Sequence, residues 1–363
     1  MKSLAIICGS LIKGGAERIT VYLAEYIQSR GIKTIIVTGG RHELEYECPR
    51  NVERYVLAET EEGIRVNKRG VKLLLYQIKR LRQILLIQNI DTMLIMDVPI
   101  CVYAVPGSWR TGSKFFVSER NAPSHFAGKK ITKWISRILM RKAKGFIFQT
   151  RGAQEFYGSF VSGKSVVIPN PVSIQNMPEI PYSGRREKKI VSVARLDKQK
   201  NLGLLIDAFF KILEEYPEYQ LYIWGEGPER ENIENYIRKL GIENSVFLPG
   251  LTDNVFKEIY KASVFVLSSD FEGMPNALIE AMALGLPCIS TDCPCGGPFE
   301  LIENGKNGIL IPVNKREKLI KSIRYILENE KFAVKMGKEA FKIREKLNFE
   351  KICNEWYVFL SKC

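Results

Sequence analysis

The sequence contains few of the side chains that bind metals or carry protons. Its 363 residues include two histidines, His42 and His125, and no Asp-x-Asp motif. Because such a carboxylate pair would hold the metal ion of a nucleotide diphosphate, its absence predicts metal-free chemistry, and we expect no cofactor. Cysteine occurs eight times but never as Cys-x-x-Cys, and Cys293 and Cys295 lack the second pair that a zinc site needs.

Long apolar runs are also missing. No stretch reaches the roughly 18 apolar residues that would span a bilayer, and the first residues show no good cleavage site for a leader peptide. The scattered cysteines indicate a reducing compartment. We therefore expect a cytoplasmic protein, either free or peripheral on the cytoplasmic face of the inner membrane.

Short apolar runs alternate with helical patterns along the chain, as is typical of an α/β protein with doubly wound parallel sheets. The alternation occurs twice, and the length exceeds what one core usually supports. We predict two domains, residues 1–168 and 169–346, with a polar linker at 169–187. The predicted strands lie at residues 4–8, 34–38, 92–96, 115–118, 146–149 and 166–168, and then at 190–193, 220–224, 246–248, 264–268, 287–291 and 308–312.

Two glutamates, Glu272 and Glu280, lie on either side of a predicted helix start. Pro275 is favourable in the first helical position, so the helix is expected to begin at Met274 or Pro275. The first N–H groups of a helix have no partner within it and attract anions, which suits a diphosphate. The groups concerned here belong to Asn276, Ala277 and Leu278, with Gly273 just before them.

The two carboxylates indicate hydroxyl partners, because ionised carboxylates accept hydrogen bonds and donate none. The alternative is that Glu272 caps the helix and Glu280 is solvated. A second loop, after the apolar run that ends at Ala194, carries Arg195 and Lys200, which could clamp a diphosphate or form a solvated basic turn. Near the start, Gly14 and Gly15 join a strand to a helix without forming Gly-x-Gly-x-x-Gly or a phosphate loop.

Together these segments resemble the retaining glycosyltransferases of family 4, which have the GT-B fold of two Rossmann-like domains facing a cleft. The resemblance rests on motifs in a matching order along most of the chain. They are Gly14-Gly15-Ala16-Glu17, Asn170-Pro171, Ala194-Arg195-Leu196 with Lys200-Asn201, Gly225-Glu226-Gly227-Pro228, Phe247-Leu248-Pro249-Gly250, the pair Glu272 and Glu280, and Asn307-Gly308.

The resemblance implies roles for these residues. Arg195 and Lys200 would hold the donor diphosphate, Glu280 the ribose, and Glu272 the transferred sugar. Gly14 and Gly15 would border the reaction centre, and Leu251 and Thr252 would lie near the base. It also places the acceptor in the first domain, on which a C-terminal helix at about 347–363 is expected to pack.

Candidate acceptor residues lie beyond two strands of the first domain. His125 follows the segment that contains Arg120 and Asn121, and Asp97 ends the strand at 92–96. The alternatives are a surface histidine and a helix cap before Pro99. We expect the acceptor hydroxyl to attack the anomeric carbon with retention of configuration, without a covalent enzyme intermediate.

Positive charge is concentrated in the first half. Residues 1–180 hold 27 Lys and Arg against 14 Asp and Glu, whereas residues 181–363 hold 27 against 26. The segment from Arg65 to Leu85 interleaves basic and aliphatic residues, which predicts an amphipathic helix on an anionic membrane or, alternatively, a core-packed helix with a solvated face. No zinc spacing or RNA-binding signature indicates nucleic acid.

We therefore expect a nucleotide-sugar donor and a lipid-linked or phosphate-bearing glycan acceptor. A UDP-linked sugar is the first expectation for the donor, and a GDP-linked sugar is the second. Three other interpretations remain. A dinucleotide-dependent oxidoreductase would need Gly-x-Gly-x-x-Gly, which the first loop lacks. A basic membrane-binding protein without catalytic activity leaves Arg195, Lys200 and the glutamates without a role. Another GT-B enzyme, such as an epimerase, also fits.

Overall fold

The computed structural model describes residues 1–60, 62–123, 130–252 and 254–362, with Lys130 and Ile131 described for their backbone alone. The chain forms two compact units. Unit 1 consists of Met1–Pro171 together with Phe349–Cys363, and unit 2 consists of Val172–Asn348. The chain therefore passes from unit 1 to unit 2 after Pro171, and most of the stretch predicted as a linker belongs to unit 2.

Unit 1 contains a parallel sheet of seven strands in the order β3-β2-β1-β4-β5-β6-β7. Its strands are β1 Ser3–Cys8, β2 Lys33–Thr38, β3 Glu53–Val56, β4 Thr92–Ile95, β5 Lys114–Glu119, β6 Gly145–Phe148 and β7 Ser165–Val167. Its helices up to the crossover are α1 Gly15–Ser29, α2 Gly70–Ile87, α3 Cys101–Ser108, α4 Lys130–Met140 and α5 Arg151–Tyr157.

Unit 2 contains a parallel sheet of six strands in the order β10-β9-β8-β11-β12-β13. Its strands are β8 Glu187–Val193, β9 Gln220–Trp224, β10 Val246–Gly250, β11 Ala262–Leu267, β12 Cys288–Asp292 and β13 Ile309–Pro312. Its helices are α6 Leu202–Leu213, α7 Arg230–Leu240, α8 Val255–Ile259, α9 Asn276–Ala283, α10 Gly297–Leu301, α11 Arg316–Glu328, α12 Glu330–Phe341 and α13 Ile343–Lys346.

The central strands are nearly continuous apolar runs because both of their faces are covered. Every residue of β1 and of β11 is buried. Both sheets reverse their strand order once, between β1 and β4 in unit 1 and between β8 and β11 in unit 2. Loops that follow the two strands at such a reversal diverge, which leaves room for a ligand at the carboxyl edge of the sheet.

The last helix, α14 Phe349–Ser361, returns to unit 1. Trp356 is fully buried and packs in the same core cluster as Leu4, Ile27 and Phe116. Tyr22 of α1 meets Phe349 edge to face at 5.3 Å between ring centroids. Apolar surface of α14 thus completes the core of unit 1.

The structure corrects three of the predicted elements. Strand β3 was not predicted, because its polar sequence Glu-Arg-Tyr-Val forms an edge strand without an apolar run. The amphipathic helix begins at Gly70 and not at Arg65. The helix between the two glutamates begins at Asn276, and Pro275 precedes it with extended backbone angles.

Candidate active site

In unit 2, two loops meet at the reversal of strand order between β8 and β11. Residues 194–201 follow β8 and residues 268–275 follow β11. The Ser268 hydroxyl donates to the Lys200 carbonyl at 2.8 Å, and the Asp270 N–H donates to the Gln199 carbonyl at 2.9 Å. The structure therefore brings together the two loops that carry Arg195, Lys200 and Glu272.

Glu272 is a buried carboxylate that accepts hydrogen bonds from several side chains. Its residue is 6% exposed, and its Oε1 accepts from Lys200 Nζ at 2.6 Å and from the Ser269 hydroxyl at 2.6 Å. The amide of Gln199 donates to the Phe271 carbonyl at 2.8 Å and lies 3.5 Å from Glu272 Oε2. A buried carboxylate is stable only when it is paired, and here Lys200 supplies the counter-charge.

The other predicted cation differs in its surroundings. Arg195 has a side chain that is 68% exposed and whose Nε donates to Asp197 Oδ2 at 2.5 Å. Asn201 has a left-handed backbone and caps α6, and its amide donates to Asp270 and Asn314 at 2.7 Å each. Arg195 thus extends into solvent from a loop whose far end is fixed.

The start of α9 lies directly beyond Glu272. The Ile279 N–H donates to the Pro275 carbonyl at 3.2 Å, so the N–H groups of Ala277 and Leu278 precede the first hydrogen bond of the helix. Such an end favours an anion. Glu280 is 8% exposed, so the alternative of a solvated side chain is wrong.

A third segment, residues 293–297 after β12, fixes the backbone of Glu272. The Glu272 N–H donates to the Pro294 carbonyl at 2.7 Å, and the Glu272 carbonyl accepts from the Cys295 N–H at 2.9 Å. Gly297 lies so close to the loop that an added Cβ would overlap the Gly273 carbonyl oxygen and lie 3.0 Å from Pro275 Cδ. Neither Cys295 nor Gly297 was predicted to belong to the site.

The expected base site follows β10. Leu251 is 51% exposed, and the Thr252 hydroxyl accepts from the Asn254 N–H at 3.1 Å. The loop after β9 approaches the loop after β8 closely, since a Cβ at Gly225 or Gly227 would overlap the carbonyl of Ala194 or Leu196. The glycines therefore allow these loops to pack, and Leu251 and Thr252 follow at the same edge of the sheet.

In unit 1, Gly14, Gly15 and Asp97 lie at the reversal between β1 and β4, and Arg120 and Asn121 follow the neighbouring strand β5. Gly14 precedes the first residue of α1, Gly15 is that residue, and the Arg18 N–H donates to the Gly14 carbonyl at 3.2 Å. Asp97 follows β4 and caps a short 3₁₀ turn, accepting from the Val98 N–H at 2.9 Å. Its Oδ2 also accepts from the Asn121 amide at 3.2 Å, so Asp97 and Asn121 are neighbours.

A second carboxyl group, Glu119 at the end of β5, is paired with Asp97. Glu119 is 3% exposed and accepts from the Tyr157 hydroxyl at 2.7 Å and from the Asn121 N–H at 3.2 Å. Burial, together with the charge of Asp97, raises the pKa of Glu119 to about 8. Burial also raises the pKa of Asp97, and the two carboxyl groups are hydrogen-bonded. The pair therefore holds one proton at neutral pH.

Arg120 points away from the surface. It is 4% exposed, donates to the Asn170 side chain, and lies over the Trp356 ring at 5.4 Å. Burial lowers the pKa of its guanidinium group. This burial argues against direct contact between Arg120 and an acceptor. His125 lies outside the residues that the structure describes.

The structure adds Ser269, Gln199, Glu119 and Tyr157 to the candidate residues. Ser269 and Gln199 bind the predicted Glu272, but a serine and a glutamine in a loop carry no distinctive sequence signal. Glu119 could have been noticed, since an acidic residue directly follows the apolar run 115–118.

Neither a metal cluster nor a membrane span is found in the described ranges. Across them, no three His, Cys, Asp or Glu side chains group in a way that could hold a metal ion. The helices of this same part of the chain include none with the length and hydropathy needed to cross a bilayer.

Comparison with known proteins identifies the family. A model described as Glycosyltransferase Family 4 matches residues 13–176, and one described as Glycosyl transferases group 1 matches residues 174–343. The chain belongs to the family 4 glycosyltransferases. The predicted family is thereby confirmed.

Two relatives and one solved structure illustrate the match. An uncharacterized glycosyltransferase of Haemophilus influenzae is 24% identical over 94% of this chain and 95% of its own. A Campylobacter jejuni enzyme, N-acetylgalactosamine-N,N'-diacetylbacillosaminyl-diphospho-undecaprenol 4-alpha-N-acetylgalactosaminyltransferase, is 26% identical over 97% of both chains. The structure of Anabaena HepE in complex with UDP and glucose aligns over all of both chains with a TM-score of 0.83 at 18% identity. The predicted GT-B fold is confirmed.

The contact between Gly297 and the 268–275 loop yields a stability prediction. We expect Gly297→Ala to lower the free energy of unfolding by about 1–3 kcal/mol, because its methyl group must displace the Gly273 carbonyl. Gly203→Ala in α6 is the control: an added Cβ there meets no atom within 4 Å, and we expect no loss. Urea denaturation followed by circular dichroism measures both, and equal midpoints for the two variants would contradict the prediction.

Proposed function

We propose that the protein is a retaining glycosyltransferase that moves a hexose or N-acetylhexosamine from a UDP-sugar to a lipid-linked or phosphate-bearing glycan, in the assembly of a surface polysaccharide or glycolipid. The main support is the Lys200–Glu272 ion pair between Arg195 and the start of α9. This arrangement combines two cations, a helix N-terminus and a carboxylate that can accept hydrogen bonds from hydroxyl groups. A nucleotide sugar presents the matching groups, a diphosphate and a ring of hydroxyls.

In this proposal the donor is bound by unit 2. Its diphosphate lies against Arg195, Lys200 and the N–H groups of Asn276, Ala277 and Leu278, which provide positive charge. Glu280 accepts from the ribose hydroxyls and Glu272 from hydroxyls of the sugar. Leu251 and Thr252 border the base. A diphosphate beside Lys200 would compete with Glu272 for the ammonium group, so donor binding would loosen the ion pair.

The reaction then exchanges one bond at the anomeric carbon and transfers one proton. The acceptor oxygen bonds to the anomeric carbon, the bond from that carbon to the phosphate oxygen breaks, and its electron pair remains on the diphosphate. The acceptor attacks from the face that the diphosphate leaves, which gives retention, and its proton passes to a phosphate oxygen on that face. Arg195, Lys200 and the helix amides stabilise the charge that develops on the diphosphate.

The choice of donor and acceptor draws on the comparisons. The solved HepE structure contains UDP and glucose, and the Campylobacter enzyme is named for a diphospho-undecaprenol acceptor. GDP-mannose is the second donor to test. Thermal-shift measurements with UDP, GDP and ADP, followed by hydrolysis assays of the corresponding sugars, would separate these donors. Stabilisation by none of the three nucleotides would count against the proposal.

Substitutions in the donor site test the proposed roles of its residues. We expect Arg195→Ala to lower kcat by at least about 100-fold, since removing one group that stabilises developing charge has effects of that order. Glu272→Ala should have an effect of about the same size, because it removes the carboxylate that orients the transferred sugar. Lys200→Ala is expected to lower kcat less, because a point charge is easier to replace, but also to lower stability by leaving Glu272 buried without a counter-charge.

Initial rates beside circular-dichroism melts distinguish these effects. Arg316→Ala is the matched control, because Arg316 is half-exposed and forms an ion pair with the adjacent Glu317. Turnover near the wild-type rate in Glu272→Ala or Arg195→Ala would remove that residue from the proposed site.

We propose that the reaction is independent of metal ions. Arg195, Lys200 and the helix N-terminus carry the positive charge that a divalent ion would otherwise supply. Transfer is expected to persist in EDTA at the rate measured without it. A strict requirement for Mg²⁺ or Mn²⁺ that no other salt replaces would refute this, whereas mild stimulation would not.

Unit 1 is proposed to contact an anionic membrane or the phosphates of the acceptor through α2 and the residues before it. The exposed face carries Lys68, Lys72 and Lys79 with Val71 and Leu75, which are 70% and 60% exposed. The lysines border a surface pocket of about 720 Å³. Basic and aliphatic groups alternating on one exposed face suit the boundary between lipid headgroups and acyl chains. Arg82 is excluded from this face, since it donates to the Pro106 carbonyl at 2.9 Å.

Salt-dependent vesicle binding tests this surface. Each lysine near an anionic bilayer contributes about 1 kcal/mol, so changing Lys68, Lys72 and Lys79 to glutamine should lower binding to anionic vesicles strongly at low salt. The control changes three exposed lysines of unit 2, Lys318, Lys321 and Lys331, to glutamine and so removes the same charge. Equal loss in both triple variants, or equal wild-type binding to neutral and anionic vesicles, would exclude a specific role for α2.

A further inference from the structure

The pair formed by Asp97 and Glu119 in unit 1 combines two unlike carboxyl groups. Glu119 is 3% exposed and is enclosed by Tyr157 and the Asn121 N–H, whereas Asp97 is partly exposed. Two carboxyl groups can hydrogen-bond to each other only when one of them is protonated, because ionised carboxylates are acceptors alone. The more buried group retains the proton, since burial penalises charge.

Asp97 has the surroundings of an ionised carboxylate. It accepts from the Val98 N–H at 2.9 Å and from the Asn121 amide at 3.2 Å, and each of these hydrogen bonds favours the charged form. It directly follows β4, where the strand order of unit 1 reverses. Ligands of such sheets bind at this edge. A partly exposed carboxylate there is suited to accept a hydrogen bond from a sugar hydroxyl.

We propose that Glu119 is a positioning residue, whose carboxyl group donates a hydrogen bond to Asp97 and so fixes the Asp97 carboxylate for a hydroxyl of the acceptor. This inference rests on the proposed function. Tyr157 donates to one oxygen of Glu119 and the Asn121 N–H donates to the other. Asn121 binds both carboxyl groups, because its side-chain amide donates to Asp97. Asp97 is therefore held by a closed set of hydrogen bonds that Glu119 completes.

Other titratable groups face the pair from the neighbouring elements. Their shared property is burial, which raises the pKa of each thiol and phenol and keeps these groups neutral at physiological pH. Arg120 remains charged because arginine does not lose its proton under such conditions. The groups are Arg120 on the segment after β5, Tyr157 on α5, and Cys101 and Tyr103 on α3.

Two substitutions separate positioning from ionisation. Glu119→Gln keeps a donor for Asp97 without a titratable proton, and we expect its kcat/KM for the acceptor to stay within about threefold of wild type at neutral pH. Glu119→Ala removes the donor, and we expect it to lower kcat/KM for the acceptor by about 10- to 100-fold. Misplacement of a site group by about 1 Å has an effect of that order. The KM for the donor is expected to stay unchanged in both. Glu155→Gln, at an exposed position of α5, is the control.

The pH profile provides a readout that a purely structural role would not change. Wild-type activity should fall as pH rises through about 8, because Glu119 then loses the proton that it donates. Glu119→Gln should lack this fall. If Glu119→Gln is as impaired as Glu119→Ala, or keeps the wild-type alkaline fall, the inference is wrong. If Glu119→Ala transfers normally, it is also wrong.

A stability measurement makes the inference independent of finding the substrates. The pKa of Glu119 is raised in the folded state, so its contribution to the free energy of unfolding is present at acidic pH and is lost as pH rises toward about 8. Glu119→Gln should flatten that part of the profile of unfolding free energy against pH, and Glu155→Gln should not. A flattened profile without transfer from any tested donor would reject the proposed function while retaining the protonated pair. An unchanged profile would overturn the inference.

Discussion

The ion pair of Lys200 and Glu272 joins two loops that follow neighbouring strands, and it adds a buried charged contact to the hydrogen bonds between those loops. A carboxylate as buried as Glu272 must have a counter-charge, and the nearest cation is carried by the other loop. Buried ion pairs seldom add stability compared with apolar packing. The pair is therefore better understood as a constraint on position, because it requires the loop after β8 and the loop after β11 to stay together.

The two units place their polar groups by the same rule. In each sheet the strand order reverses once, and Asp97 in unit 1 and Lys200 and Glu272 in unit 2 follow a strand at that point. Glu119 and Asn121 lie at the end of β5, the neighbour of β4. The surroundings differ, however. Unit 2 offers cations and a helix N-terminus, which suit phosphate, whereas unit 1 offers two carboxyl groups and amides, which suit hydroxyls. Two sheets of the same kind thus present different chemical groups because of the few residues that follow each strand.

Much of this arrangement could be predicted from the sequence. The buried strands could be located because short apolar runs such as 264–268 predict them. The edge strand β3 could not be located, because its sequence is polar. Glu272, Lys200 and Arg195 were predicted from their motif context. The partner Gln199 was not, because its contact with Glu272 depends on the approach of two loops that are about 70 residues apart in sequence. Ser269 lies three residues before Glu272, but a serine in a loop carries no distinctive sequence signal. Arg120 and Asn121 were both predicted to lie near the acceptor. The side chains of adjacent residues in extended backbone point in opposite directions, and that of Arg120 is buried.

Helix α14 also affects how the chain folds. Unit 1 is built from the first 171 residues and from a segment that is synthesised only after all of unit 2. Until Trp356 emerges from the ribosome, the apolar surface around Leu4, Ile27 and Phe116 lacks its cover. Domains generally fold in the order of their synthesis. Here the second unit is the first that can complete its own core, and the first unit remains incomplete until the last helix is made.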